Sequence, residues 1–247
     1  MAKQRHLTKA PIVEAIIDFR VKLPSDYNVE NFLSLKKKLA KDYPKVEERL
    51  AFESGLVVKD KQVEQILKDR GLQGYFFKSS DGKNVAQFRQ DGFTFSRLSP
   101  YTDWQTISAQ AKTLWELYVK VATPELITRL ATRYINRMDL PLPMNDFRQY
   151  LTAPPTIPES LPQGVSHYLT RLTIRDPETD MVAHVIQALE KSSKPDHIAI
   201  ILDIDVFRQM DFGFTESGIW PTFEQLHDFK NRIFFGNIQE ETARLFE

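Results

Sequence analysis

Residues 11–23 read PIVEAIIDFRVKL. Successive side chains of a pleated strand point to opposite sides, so a period of two sorts this stretch into two faces. Val13, Ala15, Ile17, Phe19 and Val21 make one face, and it is apolar. Ile12, Glu14, Ile16, Asp18, Arg20 and Lys22 make the other, which mixes acids, bases and isoleucines. A fully solvated face rarely keeps two isoleucines, and a fully buried one rarely keeps four charges. The stretch predicts a β-strand that rests one side on a core and leaves the other partly open.

A second stretch, ELITRLATRYINRMDLPLP from Glu125, has the same design. Leu130, Thr132, Tyr134, Asn136 and Met138 share one parity; Arg129, Ala131, Arg133, Ile135, Arg137 and Asp139 share the other. The three arginines would stand about 13 Å apart along one face of a strand. On a helix the same spacing would make a single basic stripe. Thr128, Thr132 and Tyr134 favour the strand.

From these two strands the chain divides into halves, 1–124 and 125–247. Each long strand runs through prolines into a short amphipathic segment, LPSDYNVENFLSLKKKLAKDYP in the first half and LPLPMNDFRQYL in the second. Asp26 and Asn145 are candidate N-caps, able to accept from the orphan amides of a first helical turn. Strands are expected next at 49–59, 73–79, 84–90 and 92–98 in the first half, and at 166–176, 180–189 and 197–207 in the second. Asp81-Gly82, Asp91-Gly92 and Pro177-Glu178-Thr179 mark tight turns. A long helix closes each half. Ile107, Ala111, Leu114, Leu117, Tyr118 and Val121 recur near 3.6 spacing in 103–122, behind Asp103 as cap. Phe223, Leu226, Phe229, Ile233 and Phe234 do so in 221–246, with Thr222 and Gln225 spaced as a capping box and Gly236 as a break. The Pro-rich APPTIPESLPQG, 153–164, reads as a loop. The expected fold is α+β: two similar β-α-β(3–4)-α halves forming a curved antiparallel sheet with the long helices on one face.

Composition bounds the function classes. Among 247 residues, Lys plus Arg and Asp plus Glu number 33 each, giving a formal net charge of zero. That balance argues against a dedicated nucleic-acid binder, which usually carries a basic excess. The absence of cysteine excludes disulfides, thiolate metal sites and a cysteine nucleophile. No window approaches an apolar membrane span and the start lacks a signal peptide's apolar stretch, so a cytoplasmic protein is expected.

PIVEAIIDFRV near the start, RYINRMDLP mid-chain and LHDFKNRIFFGNIQEETARLF at the end together resemble a sporadically distributed family of uncharacterised bacterial proteins of about this length. The resemblance spans essentially the whole chain; it implies a bacterial origin and brings no catalytic residues. In element order each half is also similar to a half-saddle of the TATA-box-binding protein, or to a shortened helix-grip domain. Such folds pack a long helix across one face of a curved sheet, and likeness of fold does not fix function.

Extending the alternation across all strands gathers the polar parity into one candidate surface. It carries Glu14, Asp18 and Arg20; Gln87 and Arg89; Arg129, Arg133 and Arg137; His167 and Arg171; and Asp203 and Asp205. In GFTFSRL, Phe93, Phe95 and Arg97 share a parity, so that strand's facing is open. One reading is a set of exposed cross-strand ion pairs, each worth a few tenths to about 1 kcal/mol. The other is a concave ligand-binding surface of Glu14, Asp18, Arg20, Arg89, Arg129, Arg133, Arg137, Arg171 and Asp203. Its arginines would fork onto carboxylates or phosphates while Ile12, Ile16 and Ile135 add apolar contact.

Catalytic signatures are few. The histidines show no HExxH or HxH spacing, although His167 and His197 could meet across strands. Asp203 and Asp205 on one strand face could hold Mg²⁺ only with a third acid. There is no phosphate-binding glycine loop and no GxSxG elbow. The ExExK strand of triphosphate tunnel enzymes is broken, since Ile16 and Asp18 follow Glu14. LSLKKKLAK reads as an amphipathic helix with a solvated lysine face. QMDFGFTESGIWPTF, 209–223, reads as a loop whose Phe212, Phe214 and Trp220 either pack on the last helix or contact a partner. No cofactor, metal or membrane is expected. The expectation is a non-enzymatic binding protein, adaptor, antitoxin-like or chaperone-like, holding a protein segment or an anionic ligand. The alternative is an enzyme acting on a nucleotide or phosphorylated substrate in the same concavity.

Overall fold

A computed structural model describes the backbone of residues 1–59, 62–212 and 216–247, and the side chains of 1–51, 69–212 and 218–247. PIVEAIIDFRVKL forms the strand β1 (Ile12–Lys22). A 3-10 turn (Val29–Ser34) and the short α1 (Leu35–Leu39) follow, then β2 (Lys45–Lys59), β3 (Gln62–Lys78), β4 (Asn84–Arg89), β5 (Gly92–Leu98) and α2 (Trp104–Ala122). The arginine-bearing stretch forms β6 (Leu126–Pro141), succeeded by a 3-10 turn (Phe147–Gln149), β7 (Leu169–Asp176), β8 (Met181–Lys191), β9 (His197–Phe212), α3 (Glu216–Asn237) and α4 (Glu240–Arg244). The described strands make one nine-stranded sheet in the order β2-β3-β4-β5-β1-β6-β9-β8-β7. Every pairing is antiparallel.

β1 and β6 lie side by side at the centre, and one face of both is sealed by the long helices. Phe19 stacks on Trp115 of α2 at 3.9 Å and sits 4.9 Å from Phe223 of α3. Both helices therefore cover the same side of β1. They also touch each other, Trp104 of α2 donating its indole N–H to Glu224 of α3 at 2.8 Å. The buried apolar side chains form one continuous cluster from Ala2 to Ala243. Asp103 caps α2 as expected, accepting from the Thr106 amide at 2.7 Å. Gly92 is required where β5 begins: a Cβ there would run into the Phe19 carbonyl of β1.

Several local expectations are corrected. Ile12 is buried and Val13 exposed, the reverse of simple alternation, because the β1–β6 register shifts between Ile12 and Glu14 and the extra residue flips the facing. Asn28, not Asp26, caps the first turn, and Asp146, not Asn145, caps the second. The segment after β1 is mostly 3-10, with only five α-helical residues. β3 begins well before residue 73, as one arm of a long hairpin with β2. The last long helix starts at Glu216, so Thr222 lies inside it and back-bonds to the Gly218 carbonyl at 2.7 Å instead of capping. The helix expected to run to residue 246 does break near Gly236, ending at Asn237, with α4 starting separately at Glu240. In 209–223, Phe212 ends β9 buried, and Trp220 is helical and 6.0 Å from Phe19, so neither is a loop contact; Phe214 lies outside the described residues. His167 precedes β7 instead of lying in a strand, and β8 separates β7 from β9, so His167 and His197 do not pair across neighbouring strands.

Candidate functional site

The face away from the helices carries the polar parity, and the strand register sets which residues share a row. One row runs Glu14, Ile135, Asp203, Ile186, Arg171 across five strands. The next runs Ser96, Ile16, Arg133, Asp205, His184, Thr173. Beside it lie Thr94, Asp18, Ala131 and Phe207, then Gly92, Arg20, Arg129 and Gln209. The facing of β5 is resolved by this register: Phe93 and Phe95 enter the core, and Thr94 and Ser96 face the polar side. Thr94 and Ser96 alternate with Phe93 and Phe95, and that alternation carried the signal once both rings were assigned to the core.

Asp18 is the hub. Its Oδ1 accepts from Arg89 at 2.9 Å and from the Thr94 hydroxyl at 2.7 Å. Its Oδ2 accepts from Arg129 at 3.3 Å and lies 3.3 Å from the Nε of Arg20. Arg129 reaches on to both oxygens of Asp205, at 3.0 and 2.9 Å, and its guanidinium sits 4.4 Å from the ring centre of Phe207. Arg133 grips Asp203 through two parallel bonds of 2.8 and 2.5 Å. Asp91 closes the far end, pairing with Arg20 and lying 3.3 Å from Arg89.

Burial divides these groups. The Arg89 side chain is 6% exposed, whereas those of Arg133 and Arg20 are 45% and 40% exposed. Burial pushes the Arg89 pKa down from its ordinary value, and Asp18 and Asp91 pull against that shift. Burial also raises the Asp205 carboxyl, with the Arg129 charge opposing it. Hydrogen bonding to Asp203 raises the Arg133 guanidinium. Arg89 and Arg129 thus form a fixed, neutralised floor, and the outer arms of Arg20 and Arg133 are accessible to solvent.

A hollow of about 520 Å³ opens over this floor, bounded by Ile16, Asp18, Arg20, Arg89, Arg129 and Arg133 among others. Five of the nine residues expected to bind ligand meet there: Asp18, Arg20, Arg89, Arg129 and Arg133. Asp203 supports the rim through Arg133. The remaining three do not line it. Glu14 lies one row over. Arg137 turns to Glu190 at 3.1 Å and to the Lys191 carbonyl at 2.8 Å. Arg171 stands on the edge strand β7. Asp91, Thr94, Phe207 and Gln209 join the surface without having been singled out from the sequence. Asp203 and Asp205 face separate arginines rather than a shared point, and among the described residues no cluster of three His, Cys, Asp or Glu is arranged for a metal ion. No helix is long and apolar enough to cross a membrane among those described.

No protein-family model matches this chain, and no curated protein matches it.

Proposed function

We propose that this is a cytoplasmic bacterial binding protein, an adaptor or an antitoxin-like or chaperone-like partner, that holds a protein segment against the open face of its sheet. One observation carries the reading: an uncovered hollow whose floor combines paired charges with apolar Ile16 and Ala131, under the half-exposed guanidiniums of Arg20 and Arg133. A merely solvated sheet face requires no such hollow. The pairs suit a segment bearing both charge signs, since its carboxylates can take over the exposed arms of Arg20 and Arg133 while the buried pairs stay closed. The bacterial setting rests on the sequence resemblance. Descent of the two halves from one ancestral unit is part of the proposal. It is supported by the mirrored strand order, in which β5-β4-β3 flank β1 as β9-β8-β7 flank β6.

The test is cross-linking mass spectrometry on complexes captured from a bacterial host with wild-type and Arg133→Glu baits. Partner cross-links on β1, β6 and β9 that vanish with Arg133→Glu support the proposal. Partners that cross-link elsewhere and ignore the substitution refute it.

A second reading, action on a nucleotide or phosphorylated substrate, is favoured by four guanidiniums bordering one hollow. It expects a large thermal shift with a nucleotide and Mg²⁺ that Arg133→Ala abolishes; no response to any nucleotide would set it aside.

A further inference from the structure

On the opposite side of the sheet, a cavity of about 460 Å³ lies between the N-terminal arm, the start of α2, β6 and α3. Leu7, Ile12, Trp104 and Phe234 give it apolar walls, and Tyr101, Asn136, His227 and Asn231 add polar groups. Its size falls within the roughly 300–1,000 Å³ typical of small-molecule sites, and apolar walls with a few convergent polar groups are their usual chemistry.

Lys230 lines this cavity although the residue is only 5% exposed. Its ammonium lies 3.9 Å from the ring centre of Tyr134 and donates to the side-chain carbonyl of Asn231. Among the described residues no carboxylate comes within ion-pair distance of it. The only acid on the cavity wall among the described residues, Asp103, is turned to α2, where it accepts from the Thr106 amide and hydroxyl. A buried ammonium without a counter-ion is costly, and a ring face and an amide compensate it only in part. The other nearby cation, Arg5, is already engaged by Glu240 and Glu247 at 2.7 Å each. His227, stacked on Trp104 at 4.5 Å, is held neutral by burial and by the Lys230 charge. Among the described residues Lys230 is thus the cavity's cationic group without a carboxylate partner, which suits a monoanion better than a phosphate dianion.

We propose that this cavity is a binding site for a small monocarboxylate with an apolar body, its carboxylate pairing with Lys230 and its body lying against Trp104, Leu7 and Phe234. Burial lowers the Lys230 pKa to about 7, so an arriving carboxylate would also restore the charged form. The site lies on the helix side and is independent of the reading given to the open face.

The experiment uses the full chain with phenylacetate and hexanoate at millimolar concentration, phenylacetamide as the neutral isostere and inorganic phosphate as the dianion control. Melting temperature and protection of Lys230 from acetic anhydride, mapped by mass spectrometry, are the two measurements. The expected result is stabilisation and Lys230 protection by a carboxylate but not by the amide or phosphate. Lys230→Met should weaken carboxylate binding about ten- to a hundred-fold, while Arg133→Ala leaves it unchanged. Failure of both carboxylates to protect Lys230, equal effects of phenylacetate and phenylacetamide, or an undiminished response in Lys230→Met would each overturn the proposal.

Discussion

Asp18 satisfies Arg89, Arg129 and Thr94 at once, and all three partners are largely buried. Replacing it by Asn removes the charge and leaves two guanidiniums facing each other. Asp18→Asn is therefore expected to destabilise by about 3 kcal/mol in urea unfolding, against less than about 1 kcal/mol for the half-exposed Arg133→Ala. Two groups on α3 contribute to the pH dependence. Lys230 has a folded pKa of about 7 against 10.5 when free. The unfolded chain thus holds more protons between those values, and stability rises with pH across that window. The penalty is complete below pH 7. Lys230→Met should gain stability on the order of 3 kcal/mol at or below neutrality, with the gain fading toward pH 10.5. His227 behaves likewise at lower pH: burial and the Lys230 charge bring it down to about 3 from 6.5. Stability should fall as pH drops from 6.5 toward 3, and His227→Gln should flatten that limb in a pH series of denaturation midpoints. Both groups escape sequence reading, since a Lys and a His on an amphipathic helix look solvated until another element covers them.

At the scale of elements, two backbone positions carry testable demands. Thr123 ends α2 in the left-handed region, φ 43 and ψ 55, while its amide still bonds the Val119 carbonyl. A β-branched residue is poorly suited there, so Thr123→Gly is expected to raise stability by about 0.5–1 kcal/mol. Gly92 is the opposite case. Any side chain there meets the Phe19 carbonyl, so Gly92→Ala should force β5 away from β1 and destabilise by more than about 2 kcal/mol in chemical denaturation. Strand parity was readable over most of β6, where burial alternates from Thr132 to Leu140. It failed at the start of β1, where one extra residue in the pairing exchanges Ile12 and Val13 between faces. Helix starts were the least legible. The hydrophobic spacing of α3 says where the stripe lies, not how far helical hydrogen bonding extends past Pro221.

For the whole molecule, the decisive contact is the central seam. β1 pairs with β6 along most of its length, and Phe19 from the first half packs on Phe223 from the second. Each half alone would expose an open strand edge and half an aromatic core. Residues 1–124 and 125–247 produced separately are expected to lack a cooperative unfolding transition, and co-expression should restore one, read by circular dichroism and gel filtration. The amino-acid sequence by itself determined most of the apolar residues that seek the core, because strand and helix periods are local properties of the chain. It thereby specified an α+β protein, its long strands and helices, and the mixed face of β1 and β6. Only the tertiary structure decided which charges meet. Asp18 joins Arg89 and Arg129 across 71 and 111 residues of sequence separation, and that pairing follows from strand order and register, which no local pattern encodes. The same holds for the Lys230 cavity. It exists because the N-terminal arm and the start of α2 close over α3, and burial is a property of the assembled fold rather than of any segment.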